Sequence, residues 1–290
     1  MLLSDSPDCI AAFSINSNLF KMGIKALAII YDFSLNLIAM NAGAPSIRLF
    51  TDQPLVPGAS VQLAGEAAHY LATVMRRRIG DRIELFNGRD NSVIADITEV
   101  TKKNVTAILT VMGRERILPP DIWLLFAPIK RTRLDFMAQK ATELGARLIQ
   151  PVDTDLCQVS RVKTNRLRAN AIEAAEQTGR LDIPEIGDFE TLDNRLSDWP
   201  QDRVILFCDE LFAAAEQRPN MVSVLQKIKG RKAALLIGPE GGFSEAERTQ
   251  ILRCPEVIQI SLGPRILRSD TAALAALSLY QAVCGDWHDS

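Results

Sequence analysis

The sequence is poor in the residue types on which much enzyme chemistry depends. Its 290 residues include only two histidines, His69 and His288, which are too few for a histidine-rich metal site or a serine–histidine triad. The five cysteines are scattered and form no Cys-x-x-Cys pair, which argues against a disulfide framework and a zinc site. Reduced thiols are typical of the cytoplasm, so we predict a cytoplasmic protein and expect no metal.

A long apolar segment is also missing. Lys25, Asp32 and Asn36 interrupt the first forty residues, so no transmembrane helix and no membrane partner are expected. The acidic start is wrong for a secretory signal, and the absence of arginine before Arg48 is wrong for a transit peptide. We therefore predict that residues 1–45 are an extension, either disordered or upstream of a true start near Met40.

Neither of the two common glycine motifs for phosphate binding occurs, which removes the main support for a nucleoside triphosphate or a dinucleotide. Instead, two apolar segments each end in a glycine turn. Ala233–Ile237 leads into Gly238-Pro239, and Val257–Ser261 leads into Leu262-Gly263-Pro264. Each turn precedes a predicted helix, the first of which opens on a capping box formed by Ser244 and Glu247.

Such turns lie at the carboxyl ends of strands, where open α/β sheets bind ligands. A backbone-lined pocket for a nucleoside-like ligand is therefore predicted. One glycine-proline pair alone is as well explained by an ordinary turn. Two turns in tandem, carrying Glu240, Arg265, Arg268 and Asp270, favour a site.

The segments around these turns resemble a known family. Leu236–Ser244 (Leu-Ile-Gly-Pro-Glu-Gly-Gly-Phe-Ser), Ser261–Arg268 (Ser-Leu-Gly-Pro-Arg-Ile-Leu-Arg) and Thr271–Leu277 look like the RsmE family, the 16S ribosomal RNA uracil(1498)-N3 methyltransferases of the SPOUT class. Gln139–Gly145 and Ala171–Arg180 are similar to two further signatures. The resemblance implies S-adenosylmethionine as the cofactor, a deep trefoil knot, a homodimer, and 16S rRNA in the small ribosomal subunit as the partner.

The order of elements divides the chain in two. Short alternating segments between Ser46 and Gly113, with one helix over Gly65–Arg77, indicate a small barrel. After Pro119-Pro120 the pattern changes to strand, helix, strand. We predict an α/β fold: a SPOUT-type trefoil-knotted methyltransferase domain at 119–290, preceded by a PUA-like RNA-binding β-barrel at 46–118.

The resemblance implies that the two glycine turns and the end of the strand Arg203–Phe207 bind the cofactor. The predicted cofactor-binding residues are Phe207, Leu236, Gly238, Pro239, Glu240, Gly241, Gly242, Leu262, Gly263, Ile266 and Leu267. The family often has His-Pro after this strand, whereas this chain has Cys208-Asp209. The side-chain contacts of that loop therefore stay open.

The chemistry of uracil suggests the catalytic groups. Its N3 becomes a good nucleophile only when its proton leaves, so the site has to favour the anion. We expect Arg268, together with Arg265, to stabilise the negative charge, and Glu240 or Asp270 to accept the proton. Helix capping by Asp270 is an open alternative, and most relatives carry Glu at this position. No cysteine in the cofactor motifs serves as a nucleophile, which argues against covalent chemistry at uracil C5.

The distribution of charge suggests where RNA docks. The net charge is −2, yet cations are in excess over residues 41–168 and anions over 169–290. The predicted RNA-binding residues are Arg48, Arg76, Arg77, Arg78, Lys130, Arg131 and Arg133. Cations at a helix end also stabilise the helix without RNA. Two alternative functions stay open: a non-catalytic RNA-binding assembly factor, and a SPOUT RNA methyltransferase with another target.

Overall fold

The computed structural model describes Pro45 and residues 47–129, 131–209 and 220–287, with the backbone alone at Arg131. The predicted extension lies almost wholly outside these residues. The described chain forms two sheets.

The first sheet has five strands. They are β1 (Arg48–Phe50), β2 (Ser60–Ala64), β3 (Arg82–Phe86), β4 (Val93–Val100) and β5 (Asn104–Met112). Their order is β1-β3-β4-β5-β2, antiparallel except for the parallel pair of β1 and β3. Alternate residues point inward, so Ile83, Leu85, Val105, Ala107 and Leu109 are buried in a shared core. The strands predicted for this region are confirmed.

The helix of this region is shorter than predicted. Helix α1 (Gly65–His69) continues as a π-helical turn over Tyr70–Val74, where the amide of Met75 donates to the carbonyl of Tyr70 at 2.9 Å. Arg76 then adopts a left-handed φ of 50°, which ends the helix before the predicted Arg77.

The second sheet is parallel throughout. Its strands are β6 (Ile122–Phe126), β7 (Leu148–Asp153), β8 (Glu185–Ile186), β9 (Glu190–Thr191), β10 (Arg203–Cys208), β11 (Lys232–Ile237) and β12 (Val257–Ile260). The order is β12-β10-β11-β6-β7-β8, and β9 also pairs with β7. The central strands read as continuous apolar segments because both of their faces are covered.

Helices cover both faces of this sheet. Helices α2 (Arg131–Glu143), α3 (Thr164–Thr178), α5 (Met221–Lys227) and α7 (Ser269–Val283) share one core, while α4 (Leu192–Ser197) and α6 (Glu245–Arg253) share the other. The capping box predicted for Ser244 and Glu247 is present at the start of α6. Sequence analysis missed β8, β9, α4 and α5.

Arg48 joins the two sheets, and this corrects its assignment to RNA. Its guanidinium donates to the carbonyls of Ala175, Glu176 and Arg180 at 2.8–3.0 Å, and to Glu84 at 3.0 Å. The side chain is only 11% exposed. Arg48 therefore binds the carbonyls at the carboxyl end of α3, where a cation also favourably meets the helix dipole.

The trefoil knot, the homodimer and the limits of the two domains stay predictions. None of the helices within the described residues has the length and hydropathy of a membrane span.

Candidate active site

A cleft of about 190 Å³ lies at the carboxyl ends of β10, β11 and β12, which are neighbours in the sheet. It is lined by Cys208, Asp209, Ile237, Gly238, Pro239, Gly241, Gly242, Phe243, Arg248, Ile260, Leu262, Gly263, Arg265, Ile266, Leu267, Ser269 and Ala272. The two glycine turns found in the sequence therefore face each other across one cleft.

Most of the predicted cofactor-binding residues line this cleft. They are Gly238, Pro239, Gly241, Gly242, Leu262, Gly263, Ile266 and Leu267. Phe207 and Leu236 do not line it, because they are fully buried in the core beneath. Glu240 also lies outside the lining and is exposed in the β11–α6 turn.

Close packing fixes the first turn. A Cβ at Gly238 would lie 2.7 Å from Phe243 Cε2, so only glycine allows this ring to pack there. Phe243 in turn meets Phe207 edge to face at a centroid distance of 5.1 Å. The amide of Gly242 donates to the carbonyl of Pro239 at 2.9 Å, and Gly242 has a φ of 71° that favours glycine.

A single hydrogen bond ties the two turns together. The hydroxyl of Ser269, at the start of α7, donates to the carbonyl of Gly238 at 2.7 Å. Ser269 is 5% exposed, so this bond is shielded from water. The spacing of both turns therefore depends on a residue that lies outside the glycine motifs.

Sequence reasoning missed a buried charged group in the cleft. Asp209 is 4% exposed, accepts a hydrogen bond from Gln259 Nε2 at 3.0 Å, and is paired with Arg248. The carboxylate of Asp209 is thus fixed by two side chains and lines the cleft together with Arg248. The sequence did contain one indication of this site. Asp209 directly follows the apolar strand β10, just as Gly238 directly follows β11.

Cys208 also lines the cleft, although the sequence placed no cysteine in the cofactor motifs. Burial raises the pKa of its thiol well above the usual range. A thiol that stays protonated is a poor nucleophile. Although Cys208 lines the cleft, we therefore still expect non-covalent chemistry.

Comparisons with known proteins agree with this geometry. A family model described as an RNA methyltransferase domain matches residues 116–281, and one described as an RNA methyltransferase PUA domain matches residues 63–110. The ribosomal RNA small subunit methyltransferase E of Bacillus subtilis is 30% identical over 79% of this chain and 92% of its own length. The chain belongs to the ribosomal RNA small subunit methyltransferase E, or RsmE, family.

Solved structures of relatives share the fold. The RsmE protein of Neisseria gonorrhoeae, crystallised with S-adenosyl methionine, is 28% identical with a TM-score of 0.73 over 83% of this chain and 99% of its own. A methyltransferase of Legionella pneumophila, in complex with the cofactor SAM, is 31% identical with a TM-score of 0.74 over 83% and 98%. The predicted SPOUT-type α/β fold with a PUA-like barrel is confirmed, apart from the knot.

The predicted catalytic residues of this RsmE family member surround the cleft. Arg268 and Glu240 are exposed on the two turns, and neither lines the cleft itself. Asp270 lies in the first turn of α7, where its Oδ1 accepts from the amide of Thr271 at 2.9 Å. The N-cap position belongs to Arg268, so the alternative capping role of Asp270 is not realised in that form.

The predicted RNA-binding residues fall in two places. Arg76 and Arg78 are exposed beside the end of the π-helical turn, while Arg77 lies 3.9 Å from Asp81. On the α/β domain, Arg133 Nη1 lies 3.8 Å from Asp270 Oδ2. Lys130 and the side chain of Arg131 lie outside the described residues. Arg133, predicted to bind RNA, therefore lies close to Asp270, predicted to be catalytic.

The predicted absence of a metal stays a prediction. Within the part of the chain that the structure describes, no group of three or more histidine, cysteine, aspartate or glutamate side chains could hold an ion.

Proposed function

We propose that this protein transfers a methyl group from S-adenosylmethionine to N3 of a uridine in 16S rRNA of the small ribosomal subunit, the uridine numbered 1498 in the family's name. The observation that carries this proposal is the cleft between two glycine turns on neighbouring parallel strands, with Ser269 bonded to Gly238. Its relatives in Neisseria gonorrhoeae and Legionella pneumophila were solved with S-adenosylmethionine.

The residues of the cleft suit this cofactor. Ile237, Ile260, Leu262, Leu267 and Ala272 supply apolar walls, against which an adenosine can pack. The glycine turns offer main-chain donors and acceptors, and the buried carboxylate of Asp209 provides negative charge for a cationic ligand. When bound, S-adenosylmethionine supplies an activated methyl group on a sulfonium centre.

The chain's own part in the reaction is to orient the base and to stabilise charge. Arg265, which lines the cleft, and Arg268, which lies next to it in the chain, stabilise the negative charge that develops on the uracil oxygens as N3 loses its proton. Glu240 or Asp270 accepts that proton, directly or through water. Asp270 is held by Arg133, which makes it the less available of the two carboxylates.

RNA recognition is assigned to the basic surface of both domains. Arg76, Arg77 and Arg78 on the barrel and Lys130, Arg131 and Arg133 on the α/β domain contact phosphates of the substrate. We further propose that the protein acts as a homodimer in the cytoplasm.

The test is a methylation assay on small subunits from a strain without the homologous gene. Purified protein and S-adenosylmethionine should add one methyl group, and mass mapping of the 16S rRNA should locate it at N3 of one uridine. Cofactor binding without transfer to any RNA would support the assembly-factor alternative instead. A methyl group at another position would support a SPOUT enzyme with a different target.

A further inference from the structure

Two segments of the α/β domain, residues 129–135 and 159–167, meet at one groove, and the second segment is basic. The groove has a volume of about 190 Å³ and lies between the starts of α2 and α3. Its floor is apolar, and its rim is basic. The lining residues are Ile129, Leu134, Val159 and Leu167 on the floor, with Asp135, Arg161, Lys163 and Arg166 around it.

Two cationic side chains on the rim do not contribute to the packing or hydrogen bonding of the described fold. Arg161 and Lys163 are exposed, and neither side chain forms a hydrogen bond or an ion pair with any residue in the described ranges. Arg166 is held by Asp135 at 2.5–2.6 Å, yet 45% of its side chain stays exposed. Since Asp135 also accepts from Asn170, the one carboxylate of the lining is engaged, and the rim is positive overall.

Helix α2 lines the groove and also reaches one of the predicted catalytic residues. Leu134 on its floor follows Arg133, whose Nη1 lies 3.8 Å from Asp270 Oδ2. Asp270 directly follows Ser269, which lines the cleft and bonds to Gly238. A strand of RNA whose target base enters the cleft would therefore lie close to the start of α2, which lines the groove.

We infer that the groove binds one nucleotide of the substrate RNA beside the methylated uridine, with its phosphate between Arg161 and Lys163 and its base against the apolar floor. This rests on the proposed function. A phosphodiester requires cations at the rim, and the face of any base packs on apolar side chains regardless of sequence. The contact is separate from Arg76, Arg77 and Arg78 on the barrel.

The test compares two double variants that lose the same charge. In R161Q/K163Q the rim is neutralised, whereas K227Q/R253Q removes two exposed cations elsewhere on the α/β domain. Affinity for small subunits that lack the methylation is measured by filter binding at several salt concentrations. Affinity for S-adenosylmethionine is measured by calorimetry, and R161K/K163R serves as the charge-preserving rescue.

We expect R161Q/K163Q to bind the subunits about 10-fold more weakly, with the salt dependence of log K shallower by about 0.7, as the loss of one phosphate contact on single-stranded RNA requires. Cofactor affinity should not change. The control and the rescue should both behave like the wild type.

Two results would overturn the inference, and they are distinguishable. If R161Q/K163Q matches K227Q/R253Q while the wild type still methylates 16S rRNA, the groove is not an RNA contact and the proposed function stands. If the wild type binds the cofactor but neither binds nor methylates RNA, both fail. Ultraviolet crosslinking of wild-type protein to RNA needs no variant: crosslinks at 159–168 support the groove, and their confinement to other peptides overturns it.

Discussion

At the scale of single residues, the shape of the cofactor cleft depends on a glycine, Gly238, as well as on the side chains around it. Because Gly238 has no Cβ, the ring of Phe243 packs against it and also contacts Phe207 in the core. The first turn is thus held from below by aromatic packing and from the side by Ser269. Replacing such a glycine forces a neighbour to move, because interiors are close-packed.

We predict that Gly238→Ala weakens cofactor binding about 10-fold, because overpacking of this size costs on the order of 1–3 kcal/mol and displaces Phe243. Gly241→Ala is the matched control, since its Cβ would meet Leu156 at 3.5 Å, an ordinary contact. Calorimetric titration with S-adenosylmethionine measures both. Equal affinities for the two variants would show that the packing of Phe243 does not shape the cleft.

The second prediction at this scale concerns Arg268. Because the proposed reaction develops negative charge on uracil, removing a cation aimed at it should lower kcat by about 100-fold. Arg268→Ala should leave cofactor affinity unchanged, since the residue does not line the cleft. Arg268→Lys should restore part of the rate. Single-turnover kinetics at saturating cofactor provide the measurement, and a near-wild-type rate for Arg268→Ala would remove this residue from the mechanism.

At the scale of elements, two carboxylates at the junction of the sheets have opposite effects. Burial alone would raise the pKa of Glu84, but hydrogen bonding to Arg114 and the charges of Arg114 and Arg48 lower it overall. Burial is also the main cause at Glu176, and there it raises the pKa despite the hydrogen bond from the amide of Phe50. The ionised form of Glu84 therefore stabilises the fold, whereas that of Glu176 destabilises it.

We predict opposite outcomes for the two glutamine variants. Glu84→Gln should lower the free energy of unfolding by about 3 kcal/mol at neutral pH, because it leaves Arg48 without its buried carboxylate. The difference from wild type should persist above the ordinary glutamate pKa and shrink as pH falls through the lowered one. Glu176→Gln should raise stability at neutral pH, and this gain should vanish as pH falls through its raised pKa.

Chemical denaturation at a series of pH values separates these cases. Wild-type protein and both variants are measured together, so differences in the denatured chain largely cancel. A loss of stability for Glu176→Gln at neutral pH, or a gain for Glu84→Gln, would contradict the assignment of these charges.

The elements themselves differ in how well the sequence predicted them. The apolar strands β6, β10 and β11 stand out because they are buried on both faces, and α6 stands out through its capping box. Strands β8 and β9 have two residues each, too few for any periodicity. The π-helical turn after α1 ends at the left-handed Arg76, a conformation for which arginine gives no local signal.

The sequence predicted the part of the site that lies directly after the strands. Glycine turns after two strands indicated the cleft, and three-dimensional proximity then added Asp209, Arg248 and Ser269. These residues come from separate segments, so no local pattern could unite them. Arg48 shows the same limit: exposed cations and cations buried at a helix end look alike in sequence.

At the scale of the whole molecule, the barrel and the α/β domain meet through a small apolar cluster and a charged one. Phe86, Ala175 and Leu181 are buried together, and Phe50 packs on Phe86 edge to face at 5.8 Å. Arg114 adds a hydrogen bond to the carbonyl of Gly179 at 3.0 Å. In the proposed function, this junction sets how the barrel's basic surface is presented to the RNA.

We predict that Arg48→Ala uncouples the two domains. Without this guanidinium, the carbonyls of Ala175, Glu176 and Arg180 and the carboxylate of Glu84 lose a shared buried donor. We expect calorimetric unfolding to show one cooperative transition for the wild type and two separate transitions for this variant. Cofactor affinity should not change, because the cleft belongs entirely to the α/β domain, whereas KM for the small subunit should rise.

Arg168→Ala provides the control at the same junction. Its ion pair with Asp52, at 3.5 Å, is exposed on both sides and should contribute on the order of 1 kcal/mol or less. A single transition for Arg48→Ala, together with a salt dependence of RNA binding shallower by about 0.7, would instead identify Arg48 as a phosphate contact. Two transitions would show that Arg48 affects RNA binding indirectly, because it holds the barrel in its orientation on the α/β domain.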